Sequence, residues 1–292
     1  MAFDGIVIAN LAFELNSSLA GGRISKIYMP DKNEIILHIK NNSKNYKLLI
    51  SANPSLPLMY LTEESKKNPA AAPAFCMLLR KYLGTAKITA IAQQGLERII
   101  CINFEHFDEL GDLSRKKLYI ELMGKHSNII FTDSSDKILD SIRRIPVYLS
   151  SLREVLPGRQ YFLPQELQKS DPLSTDFNEF YSILKQSNQS LIKALYMSFA
   201  GISPLCADEV CFRCGINGER ACAWLSEDVS RHVFNIFNIL LDEIKNHNFH
   251  PAIIYKNQQP FEFASFKLSS FAAPAYEAVY YKSISSLLYD YY

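Results

Sequence analysis

RISKIYMPDKNEIILHIKNNSKNYKLLIS, residues 23–51, alternates apolar and polar side chains in three runs, broken twice by a short polar turn. RISKIYMP (23–30), EIILHIK (34–40) and KLLISAN (47–53) are rich in β-branched residues, which suits half-buried strands. Asp31-Lys32-Asn33 and Asn41-Asn42-Ser43 supply the turn chemistry between them. Runs this closely spaced predict an antiparallel meander, and LMYLTE (58–63) extends it by a fourth strand.

Upstream, MAFDGIVIANLAFELN (1–16) has a helical apolar pattern that stops at Ala20-Gly21-Gly22. It lacks a basic leader and carries Asp4 and Glu14 inside the pattern, so it reads as an amphipathic helix and not as a signal peptide or anchor. No apolar run approaches the ~18 residues that would span a bilayer.

Downstream, NPAAAPAFCMLLRKYLG (68–84) changes period. Pro73 suits a first helical turn, Phe75, Cys76, Leu78, Leu79 and Leu83 share one face, and Gly84 ends it. KITAIAQQ (87–94), RIICINF (98–104), KLYIELM (117–123) and NIIFTD (128–133) predict four more strands, with ILDSIRRI (138–145) as another edge. Residues 1–170 therefore read as a β-sandwich or barrel-like domain with two helices. LPGRQYFLPQE (156–166), punctuated by Pro157-Gly158 and Pro164, reads as a strap at its boundary.

Beyond Asp171-Pro172 the pattern turns helical. DFNEFYSILKQ (176–186), SLIKALYMSFAG (190–201), LCADEVCFRCG (205–215) and one long run at 217–246 predict four helices. Ala200-Gly201-Ile202-Ser203-Pro204 joins the second to the third in a tight hairpin. Such a hairpin can offer backbone N–H groups to a nucleic-acid phosphate; it can equally be plain helix packing. A small β patch, HPAIIYK (250–256) and PFEFASFKLSS (260–270), follows. SISSLLYDYY (283–292) reads as the beginning of a helix in a longer protein. The fold class is α+β, with a second, mainly helical region over 171–292.

Composition narrows the function classes. Hydrophobic residues make up 48% and charged residues 21% of the 292, as in ordinary globular proteins. The net charge of +1 is unevenly spread: residues 1–170 hold 22 Lys/Arg against 17 Asp/Glu, and residues 171–292 hold 9 against 13. A mildly basic first part permits a phosphate-bearing partner. Six cysteines in a chain this long do not make a disulfide framework, which points to a reducing, cytoplasmic setting. Cys211 and Cys214 have metal-ligand spacing, but only Cys206 and Cys222 lie near enough to complete a set. A packed helical face explains them better than zinc.

QQGLERIICINF (93–104) places Glu97 and Arg98 side by side at the mouth of a strand. Solvation of a turn would account for the pair. Arg also offers a planar fork of donors to a phosphate or base edge, and the adjacent carboxylate can orient it or accept from a base amino group.

Several strings, taken in order, carry a family resemblance: FDG (3–5), GGRISKIYMP (21–30), LLISANPS (48–55), NPAAAPAFCMLLRKYLG, QQGLERI (93–99), ELMGKHSNIIFTD (121–133), VLPGRQY (155–161) and GISPLCADEV (201–210). Together they resemble the NFACT family, which takes in bacterial and eukaryotic ribosome-rescue factors and proteins labelled fibronectin-binding protein A. The resemblance implies a first domain, 1–170, like the N-terminal domain of formamidopyrimidine-DNA glycosylases. A helix-hairpin-helix region, 171–292, would follow and end where the family's coiled coil begins. It implies binding to the large ribosomal subunit of a stalled nascent-chain complex and to tRNA, with alanine tRNA the expected one. Untemplated C-terminal alanine tailing would follow. The ribosome would make the bonds, so no catalytic residue, cofactor, metal or membrane is expected. Fibronectin or fibrinogen binding is the alternative.

By resemblance, Glu97 and Arg98 engage tRNA. Arg80, Lys81, Lys125, Gly201 and Ser203 are further RNA-contact candidates. Arg80 and Lys81 also suit a helix C-terminus as cations, and the GKHSN turn around Lys125 can tie itself together through side-chain to backbone bonds. Four positions depart from the family pattern: Met29 for Gln, Asn53 for His, Glu97 for Asp and Lys125 for Arg. Glycosylase chemistry is not expected, because Ala2-Phe3 stands where those enzymes carry a proline nucleophile and its glutamate.

Overall fold

The computed structural model describes residues 3–107, 111–149, 153–164, 169–272 and 274–292. Nine strands form a single antiparallel sheet in the order β4-β3-β2-β1-β5-β6-β7-β8-β9. They are β1 (Arg23–Asp31), β2 (Glu34–Asn41), β3 (Lys44–Ser51), β4 (Leu58–Leu61), β5 (Lys87–Gln93), β6 (Ile99–Phe107), β7 (Leu113–Glu121), β8 (Asn128–Asp133) and β9 (Ile138–Ser141). Every strand expected from the sequence in this region forms. Asn42 and Ser43 take positive φ values of 45° and 64° at the β2–β3 turn, as a tight two-residue hairpin requires.

Two meanders, β1–β4 and β5–β9, meet where Arg23 pairs with Lys87, and flanking backbone bonds such as Ile24 N to Ala86 O at 2.9 Å extend the junction. Strand β2 is buried on both faces over Glu34–Leu37, and β6 over Ile99–Ile102, so the middle of each meander is covered on both sides. Helix α1 covers Gly5–Leu19 and α2 covers Ala74–Leu83. Pro73 is the residue just before α2, and Phe75, Cys76, Leu79 and Leu83 face inward as the period predicts; Leu78 stays half-buried.

The 153–161 strap is pinned to β7. Glu121, fully buried, accepts from Arg153 Nη1 at 2.7 Å and from the Tyr161 hydroxyl at 2.9 Å. The Tyr161 ring stacks on Tyr119 with centroids 4.0 Å apart. A buried charge with its partners satisfied fixes the strap's register without offering a free group.

The remaining elements are α3 (Phe177–Gln186), α4 (Leu191–Ser198), α5 (Pro204–Arg213), α6 (Glu227–Lys245), strands β10 (Ala252–Lys256), β11 (Gln259–Ala264) and β12 (Tyr276–Tyr280), and α7 (Ile284–Tyr291). Phe180, Leu195, Phe199, Val210, Phe237 and Leu241 are among the core side chains of this region. The long helix expected over 217–246 does not form as one piece. A 3-10 turn, Cys222–Trp224, precedes it, and Ser226 starts α6 by accepting from Val229 N at 3.3 Å. An N-cap serine with Glu227 and Asp228 behind it satisfies donors that a continuing helix would have bonded itself. Strand β12 was not foreseen. It pairs with β10 through Ala252–Tyr280 to Lys256–Tyr276, and four of its five residues are exposed, so it lacks an apolar alternation.

The chain divides into two units. One comprises Met1–Asn10, Gly95–Glu97 and Gln165–Tyr292; the other comprises Leu11–Gln94 and Arg98–Pro164. A cut near residue 170 thus misses two pieces, residues 1–10 and 95–97, that group with the helical part.

Candidate nucleic-acid interface

The first unit brings three of the quoted strings together. Asp4 caps α1: its Oδ1 accepts from the Ile6 and Val7 amides, each at 3.0 Å. Its Oδ2 accepts from the Ser203 hydroxyl at 2.6 Å. Ser203 in turn caps α5, its Oγ accepting from Cys206 N at 3.1 Å, with Pro204 at the first helical position. One carboxylate and one hydroxyl therefore join two helix starts that lie 199 residues apart in sequence. Burial pushes the Asp4 carboxyl up to about 6, against the pull of Ser203 and the two amides.

Beside this bridge the Gly5 amide donates to the Gly201 carbonyl at 2.9 Å. Leu96 fits into the space these glycines leave. A Cβ on Gly5 would stand 2.1 Å from the Leu96 carbonyl oxygen, and so would a Cβ on Gly201. Gly201 also has φ +72°, a conformation that glycine adopts without strain. The Leu96 side chain is 2% exposed and shares the core with Ile6 and Ile202. FDG, QQGLER and GISP thus converge on one residue, and Glu97 is the next along the chain.

Glu97 and Arg98 occupy the turn between β5 and β6, both half-buried, and β6 begins at Ile99 as the sequence indicated. In the second unit the Arg98 carbonyl accepts from Leu122 N at 2.9 Å, continuing the ladder that pairs Ile99 with Glu121. Lys125, exposed, lies on the 3-10 turn Gly124–His126 just beyond that strand end. The turn is tied as expected: Ser127 Oγ accepts from Met123 N at 2.9 Å, and Asn128 Nδ2 donates to Arg143 O at 2.9 Å. A Cβ on Gly124 would stand 3.9 Å from the Pro54 carbonyl oxygen, so the ANPS loop borders the same turn.

Arg80 and Lys81 fall elsewhere. Arg80 Nε donates to the Ile27 carbonyl at 2.9 Å, and its guanidinium stands 5.9 Å from the Tyr28 ring centroid. This ties the end of α2 to β1. Lys81 and Lys116 place their ammonium groups 5.4 Å and 5.7 Å from the Tyr82 ring centroid. Lys116 pairs with Phe104, five residues along β6 from Ile99. At ~3.4 Å per residue that is roughly 17 Å from the Arg98 end. The structure therefore separates an Arg98/Lys125 group from a Lys81/Lys116 group. Gly201 is half-buried, and Ser203 is 5% exposed with its hydroxyl engaged inside the protein.

Asp4 stands inside an apolar pattern in the sequence, and an Asp placed just ahead of an apolar helical run is also an N-cap signal. Among the described residues no group of three or more His, Cys, Asp or Glu side chains is arranged to hold a metal. Burial pushes the Cys211 thiol up to about 12 and Cys214 to about 11, away from the thiolate that metals bind.

The fold and these strings define a protein of the NFACT class: residues 4–292 match the NFACT N-terminal and middle domains, and the chain belongs to that family. It is 38% identical over 239 residues to the Rqc2 homolog RqcH of Bacillus subtilis, covering 80% of this chain and 42% of that one. It is 36% identical over 95 residues to ribosome quality control complex subunit 2 of Saccharomyces cerevisiae, 32% of this chain and 9% of that one. Among solved structures, the N-terminal part of the fibronectin/fibrinogen-binding protein from Streptococcus suis aligns with TM-score 0.79 and 30% identity, covering 99% of this chain and 98% of that one. The chain spans about two fifths of the length of its bacterial relative.

Proposed function

We propose that this chain is the tRNA-engaging part of a cytoplasmic ribosome quality-control factor. It binds the large ribosomal subunit of a stalled nascent-chain complex, recruits alanine tRNA and promotes untemplated C-terminal alanine tailing. It works as a scaffold, with the ribosome making the peptide bonds. The observation that carries this reading is the anchoring of the Glu97–Arg98 turn, where Leu96 is fixed between Gly5 and Gly201 immediately before the pair. A backbone held at Leu96 leaves less ordering to do on binding, which favours an Arg and a neighbouring carboxylate as readers of a phosphate or base edge. Names of the relatives support the setting. Arg80, Lys81, Lys125 and the Gly201 backbone are the further contacts we assign to RNA.

Co-sedimentation with large subunits and tRNA at several salt concentrations tests the proposal. Binding should weaken steeply as salt rises, because each neutralised phosphate releases counterions. No association at low salt would overturn it.

The Streptococcus suis protein's description favours a second reading, adhesion to fibronectin or fibrinogen. Immobilised fibronectin separates the two: retention of the protein at physiological salt supports adhesion, and passage without retention removes it.

A further inference from the structure

We propose that Asp4 and Ser203 are positioning residues for Glu97, acting through the Gly5–Gly201 contact and the Leu96 carbonyl. The inference rests on the tRNA reading above and deepens it. It gives Ser203 a role inside the protein in place of RNA contact.

Capping alone does not explain a carboxylate at position 4. An Asn or Ser could satisfy the Ile6 and Val7 amides without bringing a charge into a site that is 6% exposed. What the carboxylate adds is a second oxygen, and that oxygen is spent on the Ser203 hydroxyl at 2.6 Å. The Ser203 hydroxyl is itself doubly used, donating to Asp4 and accepting from Cys206 N at 3.1 Å. The bridge therefore sets the spacing between the first turn of α1 and the first turn of α5. Gly5 follows Asp4 directly and Gly201 lies two residues before Ser203, and the two glycines are joined by their own 2.9 Å bond. The Leu96 carbonyl occupies the space where either Cβ would intrude to 2.1 Å. A change in the helix-to-helix spacing must move that space, and Leu96 with it. Glu97 follows one peptide later, and displacements near 1 Å are enough to spoil a positioned site.

The test uses four single variants and two doubles of the whole protein: Asp4→Ala, Asp4→Asn, Ser203→Ala, Glu97→Gln, and Glu97→Gln combined with each alanine change. Subunit sedimentation and tRNA occupancy on the isolated complexes are measured separately, well below each variant's melting temperature. Ser203→Ala removes the bridge to Asp4 and the cap on Cys206 N, and Asp4→Ala removes the bridge and both α1 cap bonds. Each predicts about a tenfold or greater loss of tRNA occupancy, with sedimentation unchanged. Asp4→Asn keeps the cap on Ile6 and Val7 but puts an NH2 where the oxygen accepts from the Ser203 hydroxyl, so it should lose occupancy as Ser203→Ala does. In the Glu97→Gln background neither alanine change should reduce tRNA further, since both act through that side chain.

Parallel loss of sedimentation and tRNA, or additive losses in the doubles, would overturn the inference and leave the tRNA reading standing. Unchanged tRNA occupancy in Glu97→Gln would instead remove the tRNA role of Glu97, and the inference with it. If Asp4→Ala does not fold, Ser203→Ala and Asp4→Asn carry the same comparison.

Discussion

Asp4 gives the residue scale its clearest consequence, because its carboxyl is raised from 3.8 to about 6 in the folded protein. Between those values the native state holds the proton more tightly than the unfolded chain does. Asp4 therefore contributes most to stability below pH 4, and that contribution is lost as pH rises through 6. At ~1.36 kcal/mol per pKa unit the difference is on the order of 3 kcal/mol. Asp4→Asn removes the titration. Chemical denaturation from pH 4 to pH 7 should show the variant gaining on the wild type as pH rises, by an amount of that order at neutrality. Parallel stability curves would contradict the burial of an ionisable group there. None of this was legible in the sequence beyond the cap signal, since the partner of Asp4 lies 199 residues away.

At the scale of elements, local pattern carried most of the fold. Strands β1 to β9 and helices α1 to α5 follow from alternation, apolar period and turn residues, because each buries one regular face or both. The failures have physical causes. At Ser226 the apolar content continues but the backbone is recapped, so a period count ran through a break that the Ser-Glu-Asp string announces. Strand β12 is held by its ladder to β10 and buries little, so no apolar pattern marks it. The α4–α5 hairpin was legible as a turn, and its glycine as the turning residue; what was not legible is that Leu96 packs against it. That contact makes Gly201→Ala costly on two counts. The alanine must hold φ +72° and must also clear the Leu96 carbonyl at 2.1 Å. About 1–2 kcal/mol for the backbone and 1–3 kcal/mol for overpacking are expected in urea denaturation. Gly95→Ala, with φ +56° and nothing within 4 Å of the added Cβ, should lose the backbone contribution only. Equal losses at the two glycines would contradict the packing of Leu96.

At the scale of the whole molecule, the proposed phosphate-bearing partner agrees in sign with the excess of five positive charges over residues 1–170, against four negative charges beyond them. The candidate cations are not one cluster: Arg98 and Lys125 share one end of the β6–β7 pair, while Lys81 and Lys116 flank Tyr82 toward the other. Resemblance and residue type nominated Arg98, Lys125 and Lys81 from the sequence; strand register decided how they group and brought Lys116 beside Lys81. Glu97 and Arg98 remain the pair with a dedicated support, and tRNA recruitment through them is the central claim. Its most direct measurement is tRNA occupancy on isolated large-subunit complexes carrying Arg98→Ala. Loss of one charge-assisted contact, ~1.5–3 kcal/mol, predicts occupancy reduced about tenfold to over a hundredfold while subunit docking persists. Wild-type tRNA occupancy on the mutant complexes would contradict the account.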